Sequence, residues 1–336
     1  MKIAVIGAGA IGNLVAGYLK LKDEDVSLVG TPDSLNAIQE RGLKVSGARG
    51  DFHVKIDISE RLLEKPDLVI LACKTQDIDA ALKGRGDFLK ETSVVTVQNG
   101  VQADSIVAKY APQENIVSSI VMFGATYLEP GKVVHNFEGP WIIGRIFDGA
   151  RPDEKLISLS LILDKAFPVI ISEDIKGMKY LKIFVNANNC LAAILGKSMQ
   201  EAFADLDISR LSIAIWKEGF EVITKAGINL VSLPGFPVEN LTKLTAMPAE
   251  EAAKIFSGIM AKLSKEPLYG SILQSIKRGR PSEVDYINGE FFRIAEVHRL
   301  SAPLNKKLAG MVHEVERSKR FFSKDELLAS TKYLLN

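Results

Sequence analysis

Two kinds of hydrophobic pattern divide the chain. In the first half, short apolar runs alternate with segments of helical period. Lys2 to Ile6 reads as a buried strand, followed by a helix from Ala10 to about Lys22 and a second apolar run at Val26–Val29. Leu43 to Ile58 alternates apolar and polar residues, which predicts a hairpin-like pair of edge strands. Asp67–Cys73 and Ser93–Val97 are continuous apolar runs, the pattern of central parallel strands, with an amphipathic helix from about Asp77 between them. Ile116–Val121 and Lys132–Arg145 add strands joined by a turn around Glu129–Gly131. A helix over 153–166 and a strand over 168–172 complete an expected first domain, residues 1–173.

Beyond Glu173 the period becomes helical almost throughout, defining a second domain over 174–336. Its first helix is expected to run from Met178 towards Leu195. At about 100° per residue, Lys182, Asn186, Asn189 and Cys190 share one face, opposite Phe184, Ala187, Leu191 and Ile194. Such a polar stripe is either a hydrogen-bonded helix seam or a wall of an active site facing the sheet edge across an interdomain cleft. Helices follow at Leu206–Ala226 and Ala249–Leu263, separated by a connector over 233–248 that holds three prolines. Pro281–Asp285 is expected to open another helix, with Ser282 and Asp285 spaced as a capping box and Val284, Ile287, Phe291 and Ile294 as its buried stripe. The last 20 residues or so read as a peripheral helix or tail. The fold class is therefore α/β, a Rossmann-type domain followed by an all-helical one.

The chemistry enters at the first strand. Gly7-Ala8-Gly9-Ala10-Ile11-Gly12 is G-x-G-x-x-G in the setting of strand, tight turn and helix. Gly7 permits the turn, Gly9 lets the backbone approach a pyrophosphate, and Gly12 lets helix and strand pack closely. The helix N-terminus offers N–H groups and partial positive charge to phosphates. After the second strand stands Gly30-Thr31-Pro32-Asp33, with neither the acid that holds a ribose 2′-hydroxyl nor the arginine that holds a 2′-phosphate at the strand end. Two further strand ends deliver Lys74 and Asn99 to the same sheet edge, where ligands bind in open α/β sheets. Taken alone, Asn99-Gly100 is a common turn dipeptide, Lys74 a solvated lysine, and Glu283 a carboxylate placed to suit a helix dipole.

Composition narrows the partners. A net charge of +1 over 336 residues gives no electrostatic case for nucleic acid or an anionic membrane. No uninterrupted apolar stretch suits a membrane span, and Lys2 leads into a buried strand rather than a signal peptide, so a cytoplasmic protein is expected. Two cysteines, Cys73 and Cys190, make neither a disulfide framework nor a zinc site.

With these residues in view, the chain resembles the ketopantoate reductase (2-dehydropantoate 2-reductase) family. The resemblance is carried by IAVIGAGAIG, LACKTQ, VQNG, the Lys182-x-x-x-Asn186 helix and SILQSIKRGRPSEVDYING. It implies a Rossmann domain and a helical domain, with NADPH and a 2-oxo acid meeting in the cleft. Members reduce ketopantoate to pantoate on the route to pantothenate and coenzyme A. Lys182 then matches the general acid, and Glu283 the acid that holds the substrate hydroxyl and steers the lysine near the cofactor. Asn99 matches a contact to both cofactor and substrate. Asn186 and Ser271 match substrate-binding residues, and Lys74 a basic residue near the adenosine phosphate. Three departures stand out: Gly30-Thr31 where an arginine is common, Cys190 where an amide is expected, and Ser275 where an aspartate is common. Asn189 is a substitute amide on the same face. Thr31 replaces the arginine at the cofactor, which leaves NADH as the alternative to NADPH. The competing readings are a paralogue acting on another branched 2-oxo acid or an imine, and a dinucleotide-binding regulator without catalysis. Hydrophobic helices in the second domain are compatible with a homodimer.

Overall fold

The computed structural model describes residues 1–147, 151–263 and 266–335. The chain divides into two compact units, Met1–Lys176 and Gly177–Asn336.

The first unit contains, in chain order, β1 (Lys2–Ile6), α1 (Ala10–Lys20), β2 (Asp25–Val29), α2 (Pro32–Arg41), β3 (Leu43–Gly47), β4 (Phe52–Val54), β5 (Asp57–Ser59) and β6 (Leu68–Leu71). It continues through α3 (Ile78–Leu82), α4 (Gly86–Leu89), β7 (Ser93–Thr96), α5 (Ala103–Val107), β8 (Ile116–Val121), β9 (Gly124–Glu129), β10 (Lys132–Phe137), β11 (Trp141–Gly144), α6 (Glu154–Leu163) and β12 (Val169–Ser172). Among the described residues the strands form an eight-stranded sheet of order β12-β11-β8-β7-β6-β1-β2-β5 and a four-stranded sheet of order β4-β3-β10-β9. From β8 to β5 the larger sheet is parallel throughout, and β11 joins β8 antiparallel.

Side-chain alternation explains why the central strands β1 and β6 are apolar on both faces. Ile3 and Val5 enter one core with Leu14, Leu19, Trp141 and Phe167, while Ala4 and Ile6 enter another with Ile78, Leu82 and Val107. Helix α1 is itself covered by the smaller sheet, so Gly12 to Leu19 are all buried. Gly17 allows that approach: a Cβ there would stand 2.7 Å from Cγ2 of Val45. Tyr18, on the same helix, hydrogen-bonds through its hydroxyl to Nδ1 of His135 at 2.8 Å.

The segment expected as one hairpin over 43–58 is divided between sheets. β3 and β4 pair antiparallel in the smaller sheet, while β5 crosses to the larger one and runs parallel to β2. The expected strand set also lacked β9, whose GATYLE run is only half-buried and carries no strong period. The amphipathic helix from Asp77 is short, a 3-10 turn over Thr75–Asp77 leading into α3.

The second unit is helical, starting within the first turn of α7 (Ile175–Ala187) and continuing through α8 (Asn189–Leu195), α9 (Met199–Phe203), α10 (Leu206–Lys225), α11 (Val238–Ala246), α12 (Ala249–Ala261), α13 (Ser271–Lys277), α14 (Asn288–Val297), α15 (Pro303–Ser318) and α16 (Lys324–Thr331). Three expectations are corrected. The helix read as continuous from Met178 to Leu195 breaks at Asn188, and α8 starts anew. The proline-bearing connector contains α11, because Pro237 sits at its N-cap, where a missing N–H costs nothing. Pro281–Asp285 does not open a helix: a 3-10 turn covers Val284–Tyr286, and α14 begins at Asn288. The expected capping box is absent because both partners are engaged elsewhere, Ser282 through its amide with Glu316 and Asp285 with His313. The stripe itself is buried as read, with Val284, Ile287, Phe291 and Ile294 all in the core. No helix among the described residues is long and apolar enough to cross a membrane.

Candidate active site

In the first unit, the adjacent parallel strands β7, β6 and β1 end side by side and present Asn99, Lys74 and Gly7 at one edge. The edge is locked by hydrogen bonds from the amide of Gly7 to the Val29 carbonyl (2.8 Å) and from the amide of Ala72 to the Ile6 carbonyl (2.7 Å). Gln98, not among the residues singled out by motif, adds a third lock. Its Nε2 donates to the carbonyls of Leu71 and Cys73 at 2.7 and 2.8 Å, tying the loop that carries Lys74 to the loop that carries Asn99. Its Oε1 is buried without a hydrogen-bond partner. The available signal was a glutamine directly after a buried run, where solvent cannot satisfy it. Lys74 and Asn99 are both half-buried.

The three motif glycines meet different demands. Gly7 has φ +114°, and a Cβ on it would fall 2.4 Å from the amide nitrogen of Cys73. A Cβ on Gly12 would lie 1.9 Å from the Gly7 carbonyl oxygen. At Gly9 a Cβ would meet nothing within 4 Å, so this glycine keeps a space open rather than relieving a contact inside the protein. Gly9 is also the N-cap of α1, with no side-chain cap and no acid in the first turn. An open cradle at an uncapped N-terminus, spanning Gly7, Ala8, Gly9, Ala10, Ile11 and Gly12, fits a dinucleotide pyrophosphate.

At the next strand end Thr31 is exposed, its hydroxyl 3.3 Å from that of Ser34, in the turn that opens α2. The crossover of β5 brings a further segment here: Gly30 donates its amide to the Ser59 carbonyl at 3.0 Å. Glu60 and Arg61 follow, both exposed. This neighbour is not legible in the sequence, where the strand's alternation reads as half of a hairpin.

In the second unit, Lys182 and Asn186 lie on α7 with partial solvent access. The protein packed around Lys182 still strips water from its ammonium, and burial pushes its pKa down to about 8. The break at Asn188 changes the expected polar stripe. Asn189 and Cys190 belong to α8 and are buried, so they do not share an open face with Lys182 and Asn186. Asn189 packs against Gly270, where a Cβ would stand 3.0 Å from Cγ of the asparagine. Cys190 is wholly buried, and burial pushes its thiol up to about 12 despite hydrogen bonds from its surroundings, so it is a neutral packing group.

Ser271 is exposed in the first turn of α13, and Ser275 is buried with its hydroxyl donating to the Ser271 carbonyl at 2.9 Å. Glu283 is half-buried at the start of the 3-10 turn. Two contacts pin this region to α7. Asn288 donates from Nδ2 to the Ala187 carbonyl at 3.1 Å, and Phe291 packs on Phe184 with ring centroids 4.9 Å apart. The helix of Lys182 and Asn186 and the segment of Glu283 are thereby held together within one unit.

Comparison with known proteins places this arrangement. Residues 3–147 match the family model described as Ketopantoate reductase PanE/ApbA, and residues 174–316 match that of its C-terminal domain. The 2-dehydropantoate 2-reductases of Pyrococcus abyssi and Pyrococcus horikoshii are each 31% identical to this chain. The first aligns over 93% of this chain and 97% of its own length, the second over 94% and 98%. Among solved structures, the ternary complex of D-mandelate dehydrogenase with NADH and anilino(oxo)acetate superposes with a TM-score of 0.81 at 26% identity, over 95% of this chain and 99% of that one. A PanE/ApbA family ketopantoate reductase from Ralstonia eutropha gives 0.79 at 25%, with the same coverage. A glycine cradle built for a dinucleotide, a lysine with a lowered pKa and near full-length similarity to these reductases lead to one conclusion. The chain belongs to the ketopantoate reductase family, NAD(P)-dependent oxidoreductases acting on CH–OH groups.

Proposed function

We propose that the protein reduces 2-dehydropantoate to pantoate with NADPH, and that Lys182 is the general acid. The observation that carries this reading is the Lys182 ammonium, which burial brings to a pKa of about 8. An ordinary lysine holds its proton too tightly near neutral pH; one near 8 is mostly protonated there and gives the proton up more readily. When bound, the dihydronicotinamide supplies a hydride to the carbonyl carbon. Lys182 Nζ polarises the ketone oxygen, stabilises the negative charge that develops on it and delivers the proton, which the neutral amine regains from solvent. Glu283 accepts a hydrogen bond from the substrate hydroxyl and steers Lys182. Asn186 and Ser271 supply further polar contacts to the 2-oxo acid, and Asn189, buried against Gly270, supports the wall behind them. Asn99 serves both substrate and cofactor, and the backbone of Gly7–Gly12 holds the pyrophosphate. Lys74 offers a cation to the adenosine phosphate, and Arg61, two residues beyond the Ser59 that meets Gly30, offers a second.

The test is steady-state oxidation of NADPH and NADH, followed by absorbance, with 2-dehydropantoate and a panel of linear and branched 2-oxo acids. Preferential turnover of 2-dehydropantoate with NADPH is the expected result. Cofactor binding with no turnover of 2-dehydropantoate would overturn the assignment.

A second reading has its own support: an NADH-dependent reductase of another branched 2-oxo acid. Gly30-Thr31 lacks a strand-end arginine, Cys190 is a buried neutral thiol where an amide is expected, and D-mandelate dehydrogenase, solved with NADH, superposes closely. The same assay separates the two readings.

A further inference from the structure

Glu283 is bracketed by two ties to α15. On one side, the Ser282 amide donates to Oε1 of Glu316 at 2.7 Å. On the other, Nε2 of His313 meets Oδ1 of Asp285 at 2.9 Å. The imidazole closes the bracket, because its Nδ1 stands 3.0 Å from Oε2 of the same Glu316. Each ring nitrogen faces a carboxylate, so both must donate and the ring is an imidazolium. Its two hydrogen bonds, to Asp285 first and then Glu316, raise its pKa to about 10. Burial works against Glu316, yet the bonds from His313 and Ser282 hold its carboxyl at about 2. One cation thus lies between two anions, and its removal would leave them facing each other. His313 is about one-third exposed (35%), so the bracket sits at the unit's surface and is not a core element.

We propose that His313 is a positioning residue that holds the Asp285 side chain on one side of Glu283 and, through Glu316, the Ser282 amide on the other, and so sets where that carboxylate meets the substrate. The inference rests on the substrate-holding role read for Glu283. His313 touches no reacting atom in it; it acts on substrate binding through the 282–285 segment.

A double-mutant cycle in the full chain tests the proposal, with KM for 2-dehydropantoate, kcat, NADPH dissociation constant and unfolding temperature measured for each variant. His313→Ala should raise KM about 10-fold, the scale of one coupling between linked side chains, with the NADPH dissociation constant unchanged. In a Glu283→Ala background the same change should have no further effect on KM. Millimolar imidazole should restore KM in His313→Ala, since the site is open to solvent. Asp285→Asn removes one tie from an exposed position and serves if His313→Ala does not fold; it should raise KM in the same direction. Additive effects in the cycle would show a merely structural role and overturn the proposal. So would a wild-type KM in folded His313→Ala beside a raised KM in Glu283→Ala, which leaves the role of Glu283 standing. A wild-type KM in Glu283→Ala overturns that role, and the inference with it.

Discussion

At the residue scale, two positions separate what holds the protein together from what it does. A Cβ on Gly12 would overlap the Gly7 carbonyl, whereas a Cβ on Gly9 would enter open space. Gly12→Ala should therefore lower the unfolding temperature and abolish cofactor binding together. Gly9→Ala should leave the unfolding temperature unchanged and weaken NADPH binding at least about 10-fold, because the methyl fills the space read for the pyrophosphate. Scanning calorimetry beside a fluorescence titration reads both. Lys182 makes the chemical counterpart. Lys182→Ala should lower kcat by about 10²–10⁴ while the NADPH dissociation constant stays near that of the wild type. With a pKa of about 8 the acid form is lost above that pH, so the reduction rate should fall in alkaline solution with a single apparent pKa near 8. A flat profile to pH 10 would remove Lys182 from the proton-transfer role. All three residues are legible in the chain: glycines in a fixed spacing after a strand, and a lysine on a helix.

At the element scale, burial and capping govern. Helix α15, which presents His313 and Glu316, starts at Pro303 without a side-chain cap of its own. Glu218 of α10 supplies one from a distance, accepting the amides of Leu304 and Asn305 at 2.8 Å each and Nδ2 of Asn305 at 2.9 Å. Glu218→Ala would leave these donors without the carboxylate and should destabilise the protein by about 2 kcal/mol, read as a lower urea midpoint at unchanged slope. No local pattern around Pro303 announces a cap from 86 residues upstream. The break between α7 and α8 is equally illegible, since Asn188 keeps helical dihedrals of φ −71° and ψ −12° inside an unbroken apolar period. It assigns Asn189 and Cys190 to α8, where both are buried, while Lys182 and Asn186 on α7 are half-buried.

At the scale of the whole molecule, the ionisable groups with displaced pKa values link stability to pH in opposite senses. His313 has a folded pKa of about 10, above its ordinary 6.5. Its contribution is fully present below pH 6.5 and is lost as pH rises through 10. Glu316, held at about 2, contributes above its ordinary 4.5 and loses that contribution as pH falls through 2. Lys182 has a lowered pKa, so burying its charge costs stability below pH 8, and the cost disappears above its ordinary 10.5. The unfolding temperature of His313→Gln should therefore lie below the wild type at pH 6 and converge with it as pH rises through 10. Lys182→Met should match or exceed the wild type at pH 6, with its advantage shrinking in alkali. Thermal unfolding from pH 5 to 10.5 checks both. Lys182 thus gives up stability where its low pKa serves the proposed chemistry.

The sequence by itself determined the two halves of the fold, the glycine cradle and the lysine helix, because each depends on local period and spacing. A buried parallel strand must be apolar on both faces, and a phosphate-binding turn must have glycine at fixed intervals. Tertiary structure alone decided what depends on partners distant in the chain. β5 crosses to β2 and brings Ser59 to Gly30, Gln98 ties two strand ends, and Ser282 and Asp285 turn from a helix cap to Glu316 and His313. In each case a polar group had a local option, as edge hairpin, turn or capping box. It was outbid by a partner that only the folded chain supplies, where buried or charge-assisted hydrogen bonds outweigh local propensity.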